Sequence, residues 1–120
     1  MNVAILGASN KPERYSNQAL RLLAEKGHAV FPVHPALAEI NGHRVFKSLA
    51  DIPESVDTVT MYVSPAHSTG MADAILASNP RRVIFNPGTE NPDLEEKLAA
   101  AGIETVHACT LVLLRTGQFG

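Results

Sequence analysis

The chain has 120 residues, 45% of them apolar and 18% charged, with a formal net charge of −2. That is enough chain for one ordinary globular core and leaves little room for two. It also lacks the basic field that draws nucleic acid or an anionic membrane surface.

In chain order, Val3 to Leu6 is a continuous apolar run that stops at Gly7, as in a parallel strand buried on both faces. After a polar loop, Ser16 is placed to cap a helix carrying Ala19, Leu22 and Leu23 inward, with Gly27 ending it. Ala29 to Val33 reads as a second strand despite Pro32, which cannot donate to a ladder. Val45-Phe46 suggests a short strand, and Ser48 to Ile52 a helical turn.

Val56 to Val63 reads as a strand, followed by a helix from the Ser64-Pro65 start to about Ser78, weakened by Gly70. Val83 to Phe85 is the next strand. Asn91-Pro92 repeats the cap-plus-proline start, with Asp93, Glu95 and Glu96 favourable beside it and Gly102 as the stop. Ile103 to Val106 is a further strand, and Leu111 to Leu114 a terminal buried segment.

Strands alternating with helices predict a single α/β domain over 1–120, a doubly wound, Rossmann-like three-layer sandwich with a mainly parallel sheet. Ligands of such sheets bind beyond the carboxyl ends of the strands, near the switch in strand order. Four loops then matter: 7–16, 33–37, 62–66 and 86–91. Cys109 is the one cysteine, which excludes an internal disulfide or a thiolate metal cluster. With no basic leader and no bilayer-length apolar run, the chain is expected to be cytoplasmic and not membrane-bound.

A strand, a glycine and a helix form the layout of a dinucleotide-binding turn, and equally of an ordinary strand-to-helix turn. Here the run is Gly7-Ala8-Ser9-Asn10-Lys11-Pro12, with Ser9 and Pro12 where the second and third glycines of G-x-G-x-x-G would stand. The second strand ends in Val33-His34-Pro35, without the acid that holds the ribose in NAD sites. Both features argue against a standard NAD site but not against another phosphate-bearing nucleotide. Lys11 and Arg14 put two cations beside the expected anion position.

Val3-Ala4-Ile5-Leu6-Gly7-Ala8-Ser9-Asn10-Lys11-Pro12 resembles the opening of the coenzyme A (CoA)-binding domain proteins. These are stand-alone relatives of the N-terminal domain of the succinyl-CoA synthetase alpha subunit. The similarity continues through Val30 to Pro35, Ser48 to Pro53 and Phe85 to Gly88, in the family's order over nearly the whole chain. The resemblance implies that Gly7, Ala8 and Ser9 face the diphosphate, with Lys11 and Arg14 nearby; the helix N-terminus near Ser16 is expected to capture phosphate. It implies Val33, His34 and Pro35 at the adenosine end, and Tyr62, Val63, Ser64 and Pro65 as a second wall. Asn86, Pro87 and Gly88 would line the route of the pantetheine arm. Relatives often carry a lysine shortly after the proline of the second loop, suited to the 3′-phosphate. Here Leu37 stands there, leaving His34, Arg44 or Lys11 to supply a partner.

The five histidines, at 28, 34, 43, 67 and 107, show no metal-ligand spacing. His107 and Cys109 carry no mark of a nucleophilic pair, and Asp57, Asp73 and Glu90 none of a carboxylate pair. His67 reads as a surface residue over the expected cleft, and Tyr62 as a stacking surface for adenine. The expected function is non-catalytic binding of CoA or an acyl-CoA. The alternatives are a small NAD(P)-dependent oxidoreductase or redox sensor, and an interaction module with an unknown protein partner that keeps the fold without the ligand.

Overall fold

The computed structural model describes residues 1–120. Its elements are β1 (Asn2–Leu6), α1 (Tyr15–Glu25), β2 (Ala29–Val33), β3 (Glu39–Ile40), β4 (His43–Arg44), β5 (Thr58–Met61), α2 (Pro65–Ser68), α3 (Ala72–Ser78), β6 (Arg82–Phe85), α4 (Pro92–Ala100), β7 (Glu104–His107) and α5 (Thr110–Arg115). Five strands form one sheet in the order β2-β1-β5-β6-β7, every pair parallel. This is the Rossmann-like, doubly wound order with its switch point between β1 and β5.

Period-two alternation splits the interior strand β1 between two cores. Ala4 and Leu6 face one side, joining Met61, Phe85, Ile75, Leu94 and Leu98. Val3 and Ile5 face the other, joining Ile84, Leu20, Leu23 and Leu114. Helices α3 and α4 thus cover one face and α1 and α5 the other, which gives the three layers. Pro32 is tolerated because β2 is the edge strand. A parallel bridge from Val33 to Phe46 shields that edge, with Phe46 N donating to the Pro32 carbonyl at 2.9 Å and His34 N donating back to the Phe46 carbonyl at 3.0 Å.

Several local expectations change. The inward face of α1 uses Ala19, Leu20 and Leu23, while Leu22 is only half-buried. A two-stranded hairpin, β3–β4, turns at Asn41-Gly42, both with positive φ (51° and 81°), the Asn-Gly signature of a tight hairpin. The segment after Ser64 is not one helix. A 3-10 turn over Thr69–Met71, holding Gly70, separates α2 from α3, because glycine is a poor residue for a helix interior. The Leu111–Leu114 segment is the core of α5, with Leu111 and Leu114 buried. No helix is long and apolar enough to cross a membrane.

Candidate functional site

A cleft of about 710 Å³ opens at the carboxyl ends of β1, β2 and β5, at the switch in strand order. Gly7 makes it possible. Its φ is +85°, and a Cβ there would lie 2.7 Å from the Tyr62 carbonyl oxygen. Any larger residue therefore meets both left-handed strain and a backbone clash at the end of β5. Ala8 is buried, and its N–H donates to the Val33 carbonyl at 3.2 Å, so the loop stays tied to the end of β2.

The loop is also held from below. Asn17, buried on α1, donates from Nδ2 to the Ser9 carbonyl at 2.8 Å, and its Oδ1 accepts from Arg21 Nε at 3.0 Å. Arg21 in turn donates to the Pro12 carbonyl at 2.8 Å. Two polar side chains one helical turn apart thus clamp both ends of the 9–12 segment. Sequence reasoning missed them, since a polar i, i+4 pair reads as a solvated helix face.

Helix α1 begins two residues earlier than a cap at Ser16 would set it. Arg14 occupies the N-cap position, no side chain caps the helix, and Ser16 is a buried second-position residue. The N–H groups of Tyr15, Ser16 and Asn17 donate to no backbone acceptor. Together with the positive end of the helix dipole they present an electropositive edge. Ser9 Oγ accepts from Lys11 N at 3.1 Å, which leaves its hydroxyl hydrogen to donate outward. Lys11 and Arg14 line the cleft without an ion pair, and no Asp or Glu lines it. A chain of net charge −2 therefore carries a locally positive cleft.

At the β2 end, His34 and Leu37 line the cleft, whereas Val33 is in the core and Pro35 lies outside the lining. His34 Nδ1 accepts from the N–H groups of Ala36 (3.0 Å) and Leu37 (3.1 Å). Its proton is thus assigned to Nε2, one donor facing outward. Arg44 is not in the cleft and stacks over the Phe46 ring, 4.8 Å from its centroid. On the opposite wall are Tyr62, Val63, Ser64 and His67, with Ser64 Oγ and His67 Nδ1 paired at 2.9 Å. Pro65 starts α2 outside the lining.

Tyr62 is less a free platform than a wall. Its hydroxyl is buried near the Thr60 and Thr110 hydroxyls, with no partner in good hydrogen-bond geometry, and burial outweighs those neighbours to push its pKa up to about 12. Tyr15 is the exposed aromatic at the cleft mouth, with 71% of its surface free. It went unread in the sequence because a tyrosine inside a polar loop has no periodic neighbours.

Asn86 and Pro87 line a second hollow of about 310 Å³, which shares Tyr15 and Tyr62 with the cleft. Gly88 lines neither; its N–H donates to Glu90 Oε1 at 2.9 Å. Asn86 is structural in its contacts. Nδ2 donates to Thr60 Oγ1 (2.8 Å) and the Met61 carbonyl (2.9 Å), and Oδ1 accepts from Thr110 N (2.8 Å). Glu95 pairs with His107 Nε2 beyond the cleft, and no three His, Cys, Asp or Glu side chains converge to hold a metal.

The family described as CoA binding domain matches residues 1–115. The chain belongs to that family. A crystal structure of an uncharacterized protein is 42% identical to the chain, covers 98% of it and 97% of its own length, and has a TM-score of 0.93. The uncharacterized protein YneT of Bacillus subtilis (strain 168) is 24% identical over 90% of the chain and 86% of its own. The alpha subunit of an ADP-forming acetate–CoA ligase II from Pyrococcus furiosus is 34% identical over 51% of the chain, a stretch that is 14% of that subunit. This CoA-binding domain is therefore related to one part of a much larger ligase subunit.

Proposed function

We propose that the cleft binds CoA, or an acyl-CoA, without catalysing a reaction on it. One observation carries this reading: the Gly7-Ala8-Ser9 turn ends at an uncapped helix start flanked by two unpaired cations. Its free N–H groups, Lys11 and Arg14 suit a diphosphate, and the close approach at Gly7 suits a ligand lying against backbone. Tyr15 and Leu37 are apolar surfaces for adenine and ribose, and the His34 Nε2–H is a donor to the ribose.

The absence of an acid after Val33 counts against NAD, and the Ser64–His67 pair has no third group to orient it as a nucleophile and base. Binding is expected in the micromolar range or tighter, about −8 kcal/mol. Calorimetry with CoA, acetyl-CoA, NAD, NADP and ATP tests it. NAD binding with no CoA binding overturns the reading in favour of an oxidoreductase or redox sensor. No binding of any of them favours an interaction module. Ser9→Glu, which sets a like charge beside the diphosphate, is expected to abolish CoA binding; unchanged affinity would mean the loop is wrongly assigned.

A further inference from the structure

In a doubly wound sheet the end of the second strand reads the ribose that follows the diphosphate. An acid there holds free hydroxyls, and a cation there holds a ribose phosphate. The end of β2 provides neither. Apart from His34 and His43, the ionisable side chains between Val33 and Phe46 are Glu39 and Arg44, and neither of these lines the cleft. Arg44 is engaged elsewhere: it stands directly opposite Glu39 in the β3–β4 ladder and lies over the Phe46 ring.

The side chains left at this end of the cleft are His34 and Leu37. His34 Nδ1 is taken up by two backbone N–H groups, so the ring offers one N–H outward rather than an imidazolium. Leu37 is packed against the core beneath it, which fixes an apolar side chain here. The cations of the cleft, Lys11 and Arg14, belong to the β1 loop and the start of α1. A diphosphate joined to carbon at both ends carries two negative charges, so these two side chains match it and leave nothing over. A ribose phosphate adds a further charge of about −1.5 to −2 at neutral pH. Beside Leu37 it loses water without gaining a counter-charge, and Glu39, two residues further on, has the same sign.

We infer that the cleft selects adenosine-diphosphate ligands whose ribose carries no phosphate, so that 3′-dephospho-CoA is preferred to CoA, with Leu37 as the residue that sets the choice. This rests on the reading of the cleft as a CoA site. The test is titration calorimetry of the unaltered protein with CoA and with 3′-dephospho-CoA, which differ only in that phosphate. The dephosphorylated form is expected to bind about fivefold tighter, the scale of a partly exposed charge effect. In Leu37→Lys the ratio of the two affinities should fall to about one, through tighter binding of CoA alone. Equal binding by the unaltered protein overturns the inference, as does tighter binding of CoA. A CoA advantage that disappears in Lys11→Gln would assign the 3′-phosphate to Lys11 instead. A preference for the dephosphorylated form that survives Leu37→Lys removes Leu37 from the account. If both ligands bind and CoA is favoured, this inference alone falls; if neither binds, the reading of the cleft falls with it.

Discussion

Two strand-end loops of this sheet solve opposite problems. After β1, the turn at Gly7-Ala8-Ser9 leaves N–H groups without protein partners and sets two cations beside them without counter-charges. After β6, the turn at Asn86 consumes its own polar groups. The Asn86 side chain joins β5, β6 and α5, Thr89 Oγ1 donates to the Asn86 carbonyl at 2.7 Å, and Asn91 caps α4 by accepting from Leu94 N at 3.2 Å. A loop with spare donors is built to meet something else, and a saturated loop is built to hold the fold. The two differ although both stand at the carboxyl edge where ligands of such sheets bind.

Substitutions can break this contrast. Gly7→Val is expected to have the largest effect, about 4 kcal/mol of lost stability, from left-handed strain plus a clash with the Tyr62 carbonyl. Chemical denaturation measures it, and an unchanged midpoint would refute the close-approach argument. Asn86→Ala should cost about 3 kcal/mol, because Thr60, Met61 and Thr110 lose a buried partner together. If it instead weakened CoA binding while leaving stability intact, the second loop would not be the saturated one.

Asn17→Ala should do the reverse. By releasing the Ser9 carbonyl it is expected to weaken CoA binding about tenfold, or about 1.4 kcal/mol, through a loop no longer held in place. Titration calorimetry alongside thermal melting separates the two effects, and a melting shift without loss of affinity would contradict it. Leu37→Lys should strengthen CoA binding about fivefold, by about 1 kcal/mol, and leave 3′-dephospho-CoA unchanged. Equal gains for both ligands would mean that the new charge does not read the 3′-phosphate.

The smallest effect is at Tyr62. Its pKa is raised from 10.0 to about 12 in the folded chain, so the folded state holds its proton where the unfolded state has lost it. The resulting stabilisation is full below the unfolded value and lost as pH rises through the folded one. Tyr62→Phe should therefore flatten the fall in stability between these two pH values. At neutral pH it should raise stability by about 1 kcal/mol or less, by removing an unpartnered buried hydroxyl. An identical alkaline slope in both proteins would assign that slope to other groups.

Much of the fold was legible in the chain. Strand β1 was plain because residues buried on both faces read as an unbroken apolar run, and Asn91-Pro92 marked its helix through cap chemistry that is local. The break at Gly70 showed only as a weakness, and the Asn41-Gly42 hairpin was overlooked although its signal is also local. At the site, Gly7, Ala8, Ser9, Lys11, Arg14, His34, Tyr62, Val63 and Ser64 do come together. Asn17, Arg21 and Tyr15 escaped notice because what they touch or line lies across from them in space.

The order of residues alone determined the layered α/β class, the sheet edge that carries the cleft and the two cations of its first loop. These follow from burial periodicity, turn chemistry and charge, which act between near neighbours. Only the tertiary structure decided that Arg14 rather than Ser16 starts α1, that Asn86 is bound up in the protein, and that a second hollow continues past Tyr15 and Tyr62 to Arg115. The last two depend on groups tens of residues apart meeting at one edge of the sheet, and strand order, not sequence neighbourhood, brings them there.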